Sequence, residues 1–252
     1  MLGLGEAGSR LAADLVSAGV QVNGYDPDPS RGEGVAERRE SPAAAVADAA
    51  VVLNVTSAAV AVQSARAALE GLAPEAIYAD LNTAAPELKR TLAALVADAG
   101  GRFVDVALLG PVPGRGLRTP ALAAGPAAQA FAEAMTSLGM PVEVVSETPG
   151  DAAALKLLRS VFMKGLASSV IESLEAAEAA GHRAWLEAEI AEVIGPPLLE
   201  RLVTGSRAHA ARRADEMDAA RELLLELGVE PRIASASASL LADLADRERH
   251  PH

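Results

Sequence analysis

Residues Gly3-Leu4-Gly5-Glu6-Ala7-Gly8 spell G-x-G-x-x-G, and the stretch behind them, SRLAADLVSAG, carries apolar residues at helical spacing. Glycines in this register allow a tight turn out of a strand, a close approach of ligand to backbone, and close packing of the next helix on the sheet. No other stretch constrains the chain as much, because the pattern needs a strand before it, a helix after it and a parallel sheet around both. The helix is expected to bury Ala7, Leu11, Leu15 and Ala18 and to be closed by Gly19. The strand is the anomaly. Only Met1 and Leu2 precede Gly3, whereas a buried strand ordinarily runs to about five residues.

The same pattern makes a second demand, an acidic residue about 20 positions on at the end of the next strand. Asp26 lies 18 residues after Gly8, where VQVNGYDPDP is stopped by Pro27 and Pro29. In register, these features predict a dinucleotide site. Gly3, Leu4, Gly5, Glu6, Ala7 and Gly8 would hold the pyrophosphate at a helix N-terminus, and Asp26 would accept from the adenosine ribose hydroxyls. A carboxylate there repels a 2'-phosphate and favours NAD, while the nearby Arg31 keeps NADP open. The plainer alternative is an ordinary strand-to-helix turn and a turn-forming Asp.

Up to about residue 148 the chain alternates short apolar runs with helical stretches, the pattern of a parallel sheet with crossover helices. Strands are expected at 48–56, 76–83 and 101–110 and within TPALAAGP and MPVEVVSE, with helices at 58–70, 84–98 and 126–138. After Pro149-Gly150 only helical spacing remains. A long helix over 151–181 has Leu155, Leu158, Phe162, Leu166, Val170 and Leu174 as its apolar stripe, and further helices fall at 183–203, 206–227 and 231–248. The fold class expected is α/β: a Rossmann-type, doubly wound, mostly parallel sheet over 1–148, followed by a smaller all-α domain over 149–252.

Half of the residues are apolar and only 2% aromatic, so the cores must be built from Ala, Val and Leu. A net charge of -12 argues against nucleic-acid backbones as partners. The absence of cysteine excludes disulfides, thiol catalysis and thiolate metal sites. The four histidines show no ligand spacing beyond the terminal His250-Pro251-His252, read here as exposed chain, so no metal site is expected. With neither a secretory signal nor an apolar run of about 20 residues, a cytoplasmic protein without membrane partners is expected.

The 22 basic residues include only three lysines, Lys89, Lys156 and Lys164. In so arginine-rich a chain, lysine is expected where arginine cannot substitute. Lys156, Ser160 and Lys164 share one face of the long helix at i, i+4 and i+8, near the point where the first domain ends. A solvated polar face would also have this spacing. Lysine, however, can release a proton near neutral pH when desolvated, as a general acid/base must.

The segments GLGEAGSRLAADL, DLNTAAP, FVDVALLGPVPG, TPALAAGP and GDAAALKLLRS, in that order, resemble the β-hydroxyacid dehydrogenases, which include the 3-hydroxyisobutyrate and 6-phosphogluconate dehydrogenases. The likeness covers about the first 165 residues. The remainder, with RAHAARRADEMDAARELL, resembles the short helical C-terminal domain of phosphogluconate-dehydrogenase-like oxidoreductases. The resemblance implies hydride transfer between nicotinamide and a small hydroxy acid or its keto or semialdehyde form. It implies that Lys156 exchanges the hydroxyl proton, and that Val55, Thr56 and Asn82 line the nicotinamide and its ribose. Thr83, Gly110, Ser160 and Lys164 would face the substrate.

The departures are Leu109-Gly110-Pro111 where the family has Ser-Gly-Gly, and Ser160 where it has Asn. Arg115 and Arg118, after Gly110, are candidate anion contacts or plain surface residues. These departures leave two alternatives: reduction of an imine or another carbonyl on the same fold, and a dinucleotide-binding paralogue without catalysis. The apolar content of the helical domain exceeds what so few residues can bury, and a homodimer through that domain is expected.

The short opening strand carries its own expectation: the natural start lies upstream by roughly four to six apolar residues. Stability and cofactor affinity should then be lower than with a full strand. Adding an apolar segment such as Val-Ile-Gly-Val before Met1 should raise the melting temperature, and an unchanged melting temperature would refute the expectation.

Overall fold

The computed structural model describes residues 1–32 and 37–249. The terminal His250-Pro251-His252 lies outside the described residues. Two compact units divide the chain, Met1–Lys156 and Leu157–His252.

In the first unit, β3 (Val51–Asn54), β4 (Ile77–Asp80) and β5 (Arg102–Leu108) run parallel, with Val51 opposite Ile77 and Ile77 opposite Arg102. β6 (Ala121–Ala124) pairs antiparallel with β5, and β7 (Val142–Ser146) runs parallel to β6, giving the order β3-β4-β5-β6-β7. A second pair, β1 (Asn23–Gly24) and β2 (Glu37–Arg38), is also parallel. The stub before the glycines joins the two sheets. Leu2 bridges in parallel to Tyr25 on one side and Asn54 on the other. Its N–H donates to Leu53 O at 2.8 Å, and its own carbonyl accepts from Val55 N–H at 2.8 Å. Gly3 N–H donates to Tyr25 O at 2.9 Å. A cavity of about 760 Å³ lies beside Met1, lined by Val22, Val51, Leu53, Met135 and Leu138 among others.

Strand residues alternate between two cores, as the period of two requires. Leu53, Ala79, Val104 and Val106 face one side and pack with Leu11 and Leu15 of α1 (Glu6–Ser17) and Phe131 and Met135 of α5 (Ala128–Ser137). Leu2, Val52, Tyr78 and Phe103 face the other, against Ala61, Ala65 and Ala68 of α3 (Ala58–Leu69) and Leu92 and Val96 of α4 (Pro86–Asp98). Helices on both faces of a mostly parallel sheet make the expected doubly wound α/β fold. The first helix buries Leu11 and Leu15 as expected, with Gly8 and Ala12 beside them. Ala18 is exposed because the helix has ended at Ser17, and Gly19 turns the chain out at φ +83°. A one-turn helix, α2 (Pro42–Val46), and the two-residue β2 are additions to the expected elements. The Ser41 hydroxyl caps α2 by accepting from Ala44 N–H at 3.1 Å.

The long helix is α6 (Asp151–Ala179), and it is followed by α7 (Arg183–Ile194), α8 (Pro196–Ala208), α9 (Ala210–Glu226) and α10 (Arg232–Arg249). The helix expected over 183–203 is broken at Gly195, held at φ +82° before Pro196. The apolar stripe of α6 also differs from expectation. Leu155, Leu158 and Phe162 are 44%, 40% and 68% exposed, while Ala152, Ala153, Leu157, Ser160 and Ala167 are buried. Small residues carry the packed face because neighbours come close. A Cβ at Gly165 would sit 2.6 Å from the Ile233 side chain on α10. Farther along, Val170 and Leu174 do pack inward, with Leu199 and Leu202 of α8. Among the described residues, no helix is long and apolar enough to cross a membrane.

Candidate functional site

The glycine turn is sterically closed to side chains. A Cβ on Gly8 would stand 2.0 Å from Gly3 O, and one on Gly3, whose φ is +85°, would stand 2.5 Å from Val55 O. The strand end, the turn and the first turn of α1 therefore interlock through backbone alone. Gly5 occupies the N-cap of α1 and accepts from Ser9 N–H at 2.9 Å, and no side chain caps the helix start, where an anion is favoured. Leu4 is buried, Ala7 half-buried and Glu6 exposed.

Asp26 is 5% exposed and is tied to this turn. Its Oδ2 accepts from Leu4 N–H at 2.8 Å, and its Oδ1 accepts from Asp28 N–H at 3.0 Å. The Arg31 guanidinium lies 3.8 Å from Asp26 Oδ2 and pairs with Asp28 at 3.2 Å. It also reaches over the turn, 3.6 Å from where a Gly5 Cβ would be. The acidic residue and the basic residue weighed against each other in the sequence thus stand at one end of the same turn.

At the ends of β3 and β4 lies a polar network. Asp80 Oδ1 accepts from Asn54 Nδ2 at 2.8 Å and from Asn82 Nδ2 at 2.7 Å. Thr56 Oγ1 donates to Asn54 Oδ1 at 3.0 Å and accepts from Asn82 Nδ2 at 3.4 Å. Beneath them, Lys89 Nζ lies 2.6 Å from Asp80 Oδ2 and 3.1 Å from Asp105 Oδ1, with all three side chains fully buried. Burial alone would lower the Lys89 ammonium, but the two carboxylates outweigh it and hold its pKa above the ordinary lysine value. Asp105 Oδ2 accepts from Ala153 N–H, in the first turn of α6, at 2.8 Å.

Three residues along that helix, Lys156 Nζ donates to Thr83 Oγ1 at 2.6 Å. Thr83 follows Asn82 directly, so the expected proton-exchanging lysine and the expected strand-end residues adjoin. Gly110 lies beyond β5 with the Arg115 guanidinium above it, 3.7 Å from where a Cβ would be, while Arg118 is exposed on a 3-10 turn (Gly116–Arg118). Leu109 packs against the small cluster of Ala107, Leu122, Ala124 and Ala152.

Ser160 and Lys164 belong to the helical unit and meet a residue that the sequence did not single out, Glu216 on α9. Lys164 Nζ donates to Glu216 Oε1 at 2.8 Å and to Ser160 Oγ at 3.0 Å, and Ser160 Oγ donates to Glu216. Burial lowers the Lys164 ammonium, opposed by Glu216 and reinforced by Arg213 and Arg159. Asn54, Asp80, Lys89 and Asp105 also escaped the sequence reading. Lys89 had left one signal, as a lysine in a chain that otherwise uses arginine.

The sequence pattern of the NAD-binding domain of 6-phosphogluconate dehydrogenase matches residues 1–157. The chain belongs to this family. Residues 177–244 match a domain of unknown function, DUF1932. A conserved hypothetical protein from Sinorhizobium meliloti has a solved structure with 31% identity and a TM-score of 0.76, over 96% of this chain and 86% of that one. The 3-hydroxyisobutyrate dehydrogenase of Pseudomonas aeruginosa is 32% identical over 141 residues, which is 53% of this chain and 47% of that enzyme. The structure of the Mycobacterium tuberculosis 3-hydroxyisobutyrate dehydrogenase with L-serine shares the fold, with a TM-score of 0.82 at 20% identity over 97% of this chain and 92% of that one. The matches span between 37% and 61% of the lengths of the curated relatives.

The interlocked turn makes a specific demand. Gly8→Ala places the new Cβ 2.0 Å from Gly3 O, and should lower stability by about 1–3 kcal/mol in urea melts. It should also weaken NAD(P)H binding at least tenfold. A variant with unchanged melting and binding would show that the turn is looser than this geometry.

Proposed function

We propose that this chain is an NAD(P)-dependent oxidoreductase. It moves a hydride between nicotinamide and a small hydroxy acid, or the corresponding keto acid or semialdehyde, with Lys156 Nζ as general acid/base. The observation that carries the reading is the 2.6 Å hydrogen bond from Lys156 Nζ to Thr83 Oγ1, beside Asn82 and in the same unit as the glycine turn.

The cradle fits such a cofactor, since Gly3 and Gly8 leave only backbone where the chain turns and no side chain caps the start of α1. Gly3 to Gly8 would hold the pyrophosphate. Asp26, with lone pairs beyond the two that its backbone partners use, would accept from the adenosine ribose. Its carboxylate supports NAD, and Arg31 beside it supports NADP. Val55, Thr56 and Asn82 would line the nicotinamide half. When bound, the nicotinamide supplies the hydride acceptor or donor.

The protein then has to move one proton. As the substrate C–H hydride departs, the hydroxyl O–H bond breaks and Lys156 Nζ takes the proton, and in the reverse direction the ammonium returns it to the carbonyl oxygen. Thr83 Oγ1, by accepting from Nζ, holds the amine in place, and Gly110 with Arg115 above it supplies the substrate side of this unit. Ser160 and Lys164 are engaged with Glu216 and are assigned no step.

Nicotinamide fluorescence on titrating NADH and NADPH should reveal binding of at least one of them, and no binding at about millimolar nucleotide would overturn the reading. In a panel of hydroxy acids, Lys156→Ala should lower kcat by about 10² to 10⁴, with nucleotide affinity within about threefold of the parent. Undiminished turnover would remove the assignment, and turnover confined to imines would favour the imine alternative.

The helical unit leaves Phe162, Trp185, Val193 and Ile233 at 68%, 65%, 84% and 58% exposure. We infer that a second copy of the chain covers this apolar surface. Light scattering after size exclusion should give twice the chain mass, and a monomer at micromolar concentration would overturn the inference.

A further inference from the structure

The Lys89 ammonium has three hydrogens, and three oxygens stand around it. Nζ donates to Asp80 Oδ2 at 2.6 Å and to Asp80 O at 2.9 Å, and lies 3.1 Å from Asp105 Oδ1. No solvent reaches any of the three side chains. One cation between two carboxylates leaves a residual negative charge, which the surrounding groups must meet with donors. On the Asp80 side those donors are the Asn54 and Asn82 amides, and on the Asp105 side the donor is Ala153 N–H.

An ionised carboxylate only accepts, so it dictates the direction of each hydrogen bond leading away from it. Asn54 and Asn82 must both turn Nδ2 towards Asp80 Oδ1. Asn54 Oδ1 then faces Thr56, whose hydroxyl is committed as a donor to it. Asn82 is left presenting Oδ1, an acceptor, for whatever binds at the strand ends. On the other arm, Asp105 holds the first turn of α6 three residues before Lys156.

We propose that the buried Lys89–Asp80–Asp105 cluster is a positioning device with two separable outputs. Asp80 sets the hydrogen-bond polarity of Asn54, Thr56 and Asn82, so that this wall of the site selects a ligand group that donates, a hydroxyl or an amide N–H. Asp105 fixes the first turn of α6, and with it the placement of Lys156. The inference rests on the oxidoreductase reading above, which supplies the donor groups in the ribose hydroxyls and carboxamide of a nicotinamide nucleotide. With no exposed side-chain surface, the three residues act on a ligand through the groups they hold.

Asp80→Asn and Asp105→Asn test the two arms. Each removes one of two buried carboxylates and leaves a neutral Lys–Asp pair, so both variants should fold. Asp80→Asn frees the Asn54 and Asn82 amides to reverse, and should raise the Kd for NADH or NADPH at least tenfold. Asp105→Asn should leave that Kd within about threefold, lower kcat at least tenfold, and shift the basic limb of the pH–rate profile. Without any nucleotide, hydrogen exchange should speed up at the amides of 152–156 in Asp105→Asn and stay slow there in Asp80→Asn. Asn54→Ser keeps the cluster's charge and removes the amide that links Asp80 to Thr56, so it should raise the nucleotide Kd at least threefold even if Asp80→Asn does not fold.

Equal effects of the two carboxylate variants on Kd, kcat and exchange would mark a merely structural cluster and overturn the inference. If the parent protein binds nucleotide and Asp80→Asn and Asn54→Ser bind as well as it does, the inference fails while the oxidoreductase reading stands. If the parent binds neither nucleotide, both fail.

Discussion

A single buried ammonium stands where the first unit's elements converge. Lys89 comes from α4, Asp80 from the end of β4 and Asp105 from β5, and Asp105 in turn holds Ala153 of α6. Removing that ammonium would leave two uncompensated buried carboxylates, a loss of at least about 3–5 kcal/mol, comparable to deleting a large core side chain. All three side chains lack exposed surface, so the cluster ties the polar strand ends to the apolar cores on both faces.

The sheet was largely legible because its buried strands are short apolar runs, two of them ending in a polar residue. VVLN and IYAD give β3 and β4, and the glycine turn marks the start of α1. The helical unit was less so. Leu155, Leu158 and Phe162 have faultless helical spacing, yet they face solvent while alanines and Ser160 pack inward. Periodicity identifies a helix but does not say which of two stripes is buried when one is made of large residues and the other of small ones. The break at Gly195-Pro196 splits a run whose apolar spacing continues on both sides. The two-residue β2 offers too few residues for any period to register.

The candidate site divides along the same line. The glycines and Asp26 were nominated by their spacing along the chain, and Lys156 by the scarcity of lysine, its place near the end of the first domain and the family resemblance. Asp80, Lys89 and Asp105 are 9 and 16 positions apart, and nothing local distinguishes them from an ordinary strand-end Asp or a helix-surface Lys. Their meeting is a product of the parallel register that puts Asp80 opposite Asp105. Glu216 lies in a charge-rich stretch, RRADEMD, that reads as a solvated helix face until α9 is seen to turn it towards Ser160 and Lys164.

Composition held more information than the motifs drew from it. In a chain with three lysines, lysine is expected where arginine cannot serve, and Lys89 meets that condition more strictly than the pair on α6. Three acceptors surround a point within about 3 Å of one nitrogen, and the side chains have no exposed surface at all. A planar guanidinium presents its donors in a fixed fork and is several atoms larger, so it can neither occupy that volume nor address three converging oxygens. The compact ammonium can. Lys164 fits the same rule on a smaller scale, one ammonium shared between Glu216 and Ser160 in a half-closed space. Each lysine of this chain is held by an acceptor through its Nζ, with Lys156 on Thr83, so the bias against lysine elsewhere marks the places where the fold needs a small, three-handed cation.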